Sequence, residues 1–182
     1  MTRRCRSSIA AIPLIALCAI TSLTAESIVE PVPQCCQVRT TDPLISAAVA
    51  TGLRDSATFR DLVDRINVSD VVVYVAAAPV DMPSGLDGRL TFVCAAGGFR
   101  YVLVRVNSQL PSLHLVSLLG HELQHAREIA DSGWIVDSPS MAREYARSLG
   151  YRNGRNGAQR TFDSAAAVRA GEQVLRELIK GE

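Results

Sequence analysis

Two histidines and a glutamate lie within a few residues of one another near the middle of the chain. His121, Glu122 and His125 form the pattern His-Glu-x-x-His. Histidines four residues apart on a helix share one face, so both imidazoles can bind the same Zn²⁺. The carboxylate of Glu122 can then take a proton from a water at the open position of the metal. The pattern therefore predicts hydrolysis of peptide bonds with Glu122 as the general base.

The segment that carries this pattern has the apolar spacing of a helix. The spacing runs from Pro111 to Ser132, and Gly133 follows where a helix would stop. Leu118, Leu119 and Leu123 supply an apolar side for packing. We therefore expect a helix of about 20 residues that presents both histidines on one face.

The stretch Leu118 to Ala126 resembles the motif helix of the zincin metallopeptidases. The chain is also similar to a group of exported bacterial proteins through Ser56–Arg60, through Ser69–Val75 and through His-Glu-Leu-Gln-His. The zincin resemblance implies a strand along the cleft, the motif helix beneath it and a third metal ligand later in the chain. In the gluzincins that ligand is a carboxylate from a later helix.

Acidic and histidine residues close to the motif are poor candidates for the third ligand. Asp131 lies six residues after His125, but position 128 is glutamate rather than the glycine that would bend the chain, so the helix carries Asp131 off the histidine face. Glu128 and His114 share that face but lie about 10 Å along the axis from His121. We expect Glu128 to hydrogen-bond a ligand and His114 to be an ordinary surface or packed histidine.

Two later carboxylates remain as candidates, Asp163 and Glu144. Asp163 opens the last predicted helix, in which Ala167 and Gly171 are small enough to allow a close approach to the motif helix. We expect Asp163 to be the third ligand and keep Glu144 as the alternative. Asp163 could instead be a helix cap, and Glu144 could simply pair with a neighbouring arginine. An aspartate departs from the glutamate that gluzincins use.

The rest of the pattern predicts an α+β fold with a small, mostly antiparallel sheet, the motif helix and further C-terminal helices. Apolar spacing and caps predict five helices, which cover about 42–52, 56–66, 111–132, 140–149 and 164–180. Three strands are expected at 71–78, 90–95 and 99–106, the last two joined by Gly97-Gly98, and a loop at 150–160.

Composition and charge bound the class of protein. The chain has 182 residues, 48% hydrophobic residues and a net charge of +1, which fits one globular domain and disfavours nucleic-acid binding. Three N-terminal arginines followed by an apolar run predict a signal peptide over 1–25, and then an extended lead-in over 26–41 and the peptidase domain over 42–182. The mature charge of about −2 implies no charged partner, so selectivity is expected to depend on side-chain pockets.

These observations predict an exported enzyme, periplasmic or secreted, with no stable membrane span after signal cleavage; an N-terminal membrane anchor is the alternative. Cys94 could bond to Cys35 or Cys36, or all three could be unpaired. The expected site is Zn²⁺ held by His121 and His125 with a later carboxylate, and the expected substrate is a peptide or protein. The competing hypothesis is an exported binding or structural protein with a structural or vestigial metal site. Nothing in the sequence indicates the oligomeric state.

Overall fold

The computed structural model describes residues 37–78, 86–149, 151–156 and 159–181. The predicted signal peptide, most of the predicted lead-in and the cysteines at 35 and 36 lie outside these residues. The elements in chain order are β1 (Val38–Arg39), α1 (Pro43–Asp55), α2 (Ala57–Asn67), β2 (Val71–Ala78), β3 (Gly88–Ala96), β4 (Phe99–Asn107), α3 (Ser112–Asp131), α4 (Ser138–Glu144), a π-helical turn (Tyr145–Leu149), β5 (Tyr151–Asn156), β6 (Gln159–Asp163) and α5 (Ala165–Gly181).

The main sheet is mixed, so the prediction of a mostly antiparallel sheet is wrong. Its strand order is β1-β2-β4-β3, in which β1 and β4 run parallel to β2 and β3 runs antiparallel to β4. The β3–β4 hairpin was expected, but the sequence did not reveal which of its strands lies beside β2. β4 occupies the inner position beside β2, and β3 forms the edge of the sheet. This placement fits their burial, because Val102, Val104 and Val106 of β4 are fully buried, whereas residues 93–96 of β3 are exposed. The α+β class itself is confirmed.

The first two helices begin directly after the residues that were predicted to cap them, Asp42 and Ser56. The carboxylate of Asp42 accepts hydrogen bonds from the backbone amides of Leu44 and Ile45, at 2.9 and 3.2 Å. The hydroxyl of Ser56 accepts one from the amide of Phe59 at 3.0 Å. Each bond satisfies an amide that a helix start leaves without a partner. Both helices then cover the inner face of the sheet with their buried apolar residues.

The motif helix α3 packs closely against the last helix, α5, as the small residues predicted. A Cβ added to Gly171 would lie 3.2 Å from the Cβ of His121, and one added to Gly120 would lie 2.8 Å from Val174. The hydroxyl of Ser117 also donates to the carbonyl of Gly171 at 2.9 Å. Ala167, one turn earlier in α5, is fully buried. This contact brings the N-terminal end of α5 to the histidines of α3.

A carboxylate on α5 ties this helix to the start of α2. Glu177 accepts hydrogen bonds from the hydroxyl of Ser56 at 2.6 Å and from the amide and hydroxyl of Thr58 at 3.0 and 2.8 Å. Partial burial opposes ionisation of Glu177, but these bonds and one from Gln173 outweigh it and lower its pKa to about 2. The position of α5 is therefore fixed at both ends of the helix.

The C-terminal end of α3 is held by a buried arginine of the sheet. Arg100 is 5% exposed and donates to the carbonyls of Ile129, Ser132 and Ile135 at 2.6 to 3.2 Å. Its other nitrogens pair with Asp70. A cation at this position satisfies carbonyls that a helix end leaves free and opposes the negative end of the helix dipole. The motif helix is thus fixed to β4.

The segment before the last helix differs from the predicted loop. Its backbone forms the antiparallel pair β5–β6, with Arg152 opposite Phe162 and Asn156 opposite Gln159. The predicted fourth helix also ends early, because α4 gives way to the π-helical turn at Tyr145. The hairpin strands are polar and lack alternation, so only the two Asn-Gly dipeptides, at 153–154 and 156–157, could have signalled a turn. Among the described residues, no helix is long and apolar enough to cross a membrane.

Candidate metal centre

Three predicted ligands meet at one point between α3 and the start of α5. The Nε2 atom of His121 lies 3.3 Å from Oδ1 of Asp163, and Nε2 of His125 lies 3.5 Å from the same oxygen. The ligand atoms of all three residues lie within 4.8 Å of one another. The two imidazole rings are 4.9 Å apart, edge to face. This group could hold a metal ion.

The spacing of these atoms suits a tetrahedral ion. Bonds of about 2.0 to 2.1 Å at tetrahedral angles set the ligand atoms roughly 3.3 to 3.4 Å apart. The two nitrogen-to-oxygen distances of 3.3 and 3.5 Å agree with this requirement. Two imidazoles and a carboxylate leave one coordination position open. A four-coordinate ion held by these three described residues would keep that position for a fourth ligand.

Asp163 is held in place by the backbone that follows it. Its Oδ1 accepts a hydrogen bond from the amide of Ser164 at 2.7 Å. Burial opposes ionisation of Asp163, but the hydrogen bonds with His121 and His125 outweigh it and lower the pKa of the carboxyl below its usual range. Asp163 is not the cap of α5, because the hydroxyl of Ser164 accepts the bond from the amide of Ala167. Its carboxylate is ionised and faces both imidazoles.

A buried carboxylate orients the second histidine. Nδ1 of His125 lies 3.0 Å from Oε2 of Glu128, and the hydroxyl of Tyr145 donates to the same oxygen at 2.8 Å. Because an ionised carboxylate only accepts hydrogen bonds, Nδ1 carries a proton and donates to Glu128, and Nε2, which faces Asp163, is the nitrogen that could bind a metal once it has lost its own proton. The hydroxyl of Ser164 donates to Oε1 of Glu128 at 2.5 Å. The predicted role of Glu128 as a hydrogen-bond partner of a ligand agrees with these contacts.

The same contacts set the charge of His125 when no cation is bound. Burial alone would lower the pKa of His125, but hydrogen bonds with Asp163 and Glu128 reverse this effect and raise it to about 9. Glu128 remains ionised because its bonds to His125, Ser164 and Tyr145 outweigh its own burial and lower its pKa. Removal of the His125, Glu128 or Asp163 side chain would therefore leave a buried group without its hydrogen-bond partner.

Glu122 lies under β3 with one free carboxylate oxygen. Its side chain is buried, and among the described residues Oε2 has no hydrogen-bond partner. A Cβ added to Gly88 of β3 would overlap Oε1 of Glu122 and would come within 2.7 Å of Leu118. Burial raises the pKa of Glu122, although the nearby His125 and His121 act in the opposite direction. A buried acid with an unpaired oxygen beside three potential ligands is suited to proton transfer.

The other candidates lie elsewhere. The alternative ligand Glu144 is buried away from the ligand group and binds the indole Nε1 of Trp134 at 2.8 Å and Arg147 at 2.9 Å. Asp131 is 71% exposed, and His114 is exposed as well. The hydroxyl of Tyr145 is bonded to Glu128 on the far side of His125 from Asp163.

Sequence reasoning missed two residues that shape the site, Gly88 and Ser164. Only the contact of Gly88 with Glu122 shows why a side chain is excluded at this position. Ser164 caps α5 and also holds Glu128. The sequence Asp163-Ser164 before a run of alanines was a cap signal that fitted either residue.

No family model, no curated protein and no solved structure matches this chain.

Proposed function

We propose that this chain is a zinc-dependent peptidase in which Glu122 is the general base. The observation that carries the proposal is the convergence of His121, His125 and Asp163 on one point. The buried carboxylate of Glu122 lies close enough for the charges of all three residues to affect its pKa. The resemblance of the motif helix to that of the zincins points to the same chemistry.

Zinc is the metal we propose because of the donor set. Two imidazoles and one carboxylate with an open position form a ligand set that catalytic zinc sites use. When bound, zinc supplies a Lewis acid that lowers the pKa of water to about 7 and polarises a carbonyl. The protein contributes the fixed positions of the ligands, through the contacts of Glu128 and Ser164.

The chain supplies the proton transfer itself through Glu122. Its pKa is raised by burial, and a carboxyl group whose pKa moves towards neutrality can both accept a proton and return it. Oε2 of Glu122 is buried and has no hydrogen-bond partner among the described residues, so its capacity to accept a hydrogen bond is unused. In this proposal Glu122 takes the proton of the attacking water and delivers it to the amine that leaves.

The edge of the sheet offers a place for the substrate backbone. β3 is the last strand in the strand order, and its Gly88 lies directly over Glu122. An extended peptide can add to such an edge through main-chain hydrogen bonds, which align its backbone independently of its side chains. A peptide bound there would pass over the carboxylate of Glu122.

The experiment that tests the proposal is the substitution Glu122→Gln in the full mature chain loaded with zinc. We expect E122Q to keep one zinc per chain and to lose peptide hydrolysis by about 10²- to 10⁴-fold, the usual contribution of a general base. The matched control is Glu172→Gln, an exposed acid of α5, which should change neither property. Equal hydrolysis by E122Q and the unaltered chain, or no hydrolysis by the zinc-loaded chain, would contradict the proposal and favour a non-catalytic metal site.

We also propose that the enzyme acts outside the cytoplasm. Three arginines and an apolar run within residues 1–25 support a cleaved export signal. Fractionation of cells that express the full chain, with N-terminal sequencing of the exported product, tests this part. A product that stays in the cytoplasm with its N-terminus intact would contradict it.

A further inference from the structure

The edge strand β3 turns alternate backbone groups away from the sheet. The amide of Asn107 donates to the carbonyl of Asp87 at 2.7 Å, directly before the regular register of β3 with β4 begins. In an antiparallel ladder, residues that exchange hydrogen bonds with the partner strand alternate with residues whose N–H and C=O point away from it. Counted from Asp87 up to the irregularity after residue 92, the residues that point outward are Gly88, Leu90 and Phe92.

Two of these outward residues lie beside the metal centre. Gly88 lies over Glu122, because a Cβ at this glycine would overlap Oε1 of that carboxylate. Arg100, which holds the C-terminal end of α3, is at the opposite end of β4 from the partner of Gly88, so β3 and α3 run in the same general direction. Leu90 lies about 7 Å further along β3, towards the level of His125. In the part of the chain that the structure describes, no strand pairs with the outer edge of β3.

The third outward residue faces the start of α4. The hydroxyl of Ser138, the first residue of α4, donates to the carbonyl of Phe92 at 3.4 Å. A strand added to the edge would lie about 4.7 to 4.9 Å from β3, so Ser138 occupies the place of such a strand at this position. The outward backbone of β3 is therefore open at Gly88 and Leu90 and obstructed at Phe92.

The segment that leads into α4 is a fixed part of the fold. Ile135 is fully buried, and its carbonyl accepts a hydrogen bond from Arg100 at 3.2 Å. The hydroxyl of Ser140 accepts bonds from the amides of Val136 and Asp137, both at 3.0 Å. The carboxylate of Asp137 in turn accepts a bond from the amide of Ser140 at 2.7 Å. The start of α4 cannot swing away from β3 without breaking these bonds.

We propose that the start of α4 closes the substrate groove at one end, and that the enzyme therefore removes short peptides from the N-terminus of polypeptides. The proposal rests on the proposed function, since it concerns only which peptide bond receives the water. Antiparallel pairing is the slightly more stable ladder and runs the substrate from α4 towards Gly88, with its N-terminus at the closed end. Gly88 and Phe92 are about 14 Å apart along β3, so about two or three substrate residues fit between the level of Glu122 and Ser138.

A matched pair of substrates tests the closed end. Both contain the same unstructured peptide, which is fused to a folded domain at its N-terminus in one substrate and at its C-terminus in the other. We expect the zinc-loaded chain to release dipeptides and tripeptides from the free N-terminus, detected by mass spectrometry. The substrate with an N-terminal domain should be cleaved at least about tenfold more slowly, because that domain would clash with α4. Equal rates for the two substrates would overturn the proposal, as would release of short peptides from a free C-terminus.

A larger side chain at Ser138 should shorten the groove further. Ser138 is exposed, so Ser138→Trp should leave the chain folded and reduce the release of tripeptides relative to dipeptides at least about threefold. The control is Ala57→Trp, the same substitution product at the exposed first residue of α2, a helix that contacts β1 at the opposite edge of the sheet. The same ratio of tripeptides to dipeptides in the two variants would count against a wall at Ser138.

Pairing with the edge is tested by binding alone, in the zinc-loaded E122Q chain. Leu90→Pro removes an amide that points outward and takes no part in the ladder with β4, a position at which an edge strand tolerates proline. Its control is Leu90→Ala, which also loses the leucine side chain but keeps the amide. We expect L90P to bind a fluorescein-labelled peptide about two- to tenfold more weakly than L90A, the effect of one neutral hydrogen bond. Equal affinities would rule out pairing at Leu90 and overturn the proposal.

Failure of the proposed function would be seen separately. Cleavage within both fusion substrates, at equal rates, would support the peptidase and overturn the closed end alone. No cleavage of either substrate by the zinc-loaded chain would contradict the peptidase itself, and with it the removal of N-terminal peptides.

Discussion

Replacement of Glu128 by glutamine should weaken zinc binding while the chain stays folded. Glu128 accepts hydrogen bonds from His125, Tyr145 and Ser164, and it fixes the proton of His125 on Nδ1. Glutamine has nearly the same shape but no charge, and its amide oxygen can accept only some of these bonds. The imidazole of His125 would therefore lose both part of its orientation and part of its basicity.

The expected loss of zinc affinity is about 10- to 100-fold, the usual effect of removing a hydrogen-bond partner behind a metal ligand, or about 1.4 to 2.7 kcal/mol. The structure supports this range. A hydrogen bond to a charged group contributes about 1.5 to 3 kcal/mol and a neutral one about 0.5 to 1.5, so the bond to His125 weakens by roughly 1 to 2 kcal/mol. The bonds from Tyr145 and Ser164 hold the carboxylate in place and should weaken as well.

The assay is competition for zinc against a chromophoric chelator at a fixed pH. The control is Asp131→Asn on the same helix, which removes an acid that is 71% exposed and has no contact with the ligand group. Thermal unfolding of the metal-free chains should be similar for the parent and D131N, with E128Q only moderately less stable. A zinc affinity for E128Q within twofold of that for D131N would refute the role of Glu128 in orienting His125.

Two further predictions concern the carboxylate of Glu122 and the stability of α5. Gly88→Ala should lower peptide hydrolysis at least about tenfold with zinc content unchanged, because the added methyl group would overlap Oε1 of Glu122. A hydrolysis rate in G88A equal to that of the unaltered chain would contradict this position of the Glu122 side chain. Glu177 has a lowered pKa of about 2, so its contribution to the free energy of unfolding is complete above its ordinary pKa of 4.5 and disappears as the pH falls towards 2. Allowing for solvent screening, we expect Glu177→Gln to cost about 1 to 2 kcal/mol in urea unfolding at pH 7 and less at pH 3; a loss independent of pH would contradict the ionised bridge.

Local features of the sequence predicted the parts of the site that lie on single helices. The spacing of His121 and His125 on one face depends only on the helical period, and Asp42 and Ser56 mark helix starts through bonds to nearby amides. Asp163 could be chosen over Glu144 because a stripe of small residues foretold the close contact of α5 with α3. These inferences succeeded because each rests on residues near one another in the chain or on one helix face.

Features that depend on tertiary placement could not be predicted in this way. Which strand of the β3–β4 hairpin lies beside β2 depends on the burial of both strands against the helices, and no local pattern encodes it. The hairpin β5–β6 has no apolar alternation in its sequence from which its strands could have been predicted. The role of Gly88 became visible only with Glu122 beneath it.

The position of the third ligand links the candidate metal site to the folding of the C-terminal region. His121 and His125 lie on α3, whereas Asp163 lies where β6 meets α5, so the three meet only when α5 packs on α3 through Gly120 and Gly171. An ion bound by all three residues stabilises that packing by mass action, since the unfolded chain does not hold them together. Ser164 strengthens the link, because one hydroxyl both caps α5 and bonds to the carboxylate that orients His125. The fold thus positions Asp163 through the same contacts that begin the last helix.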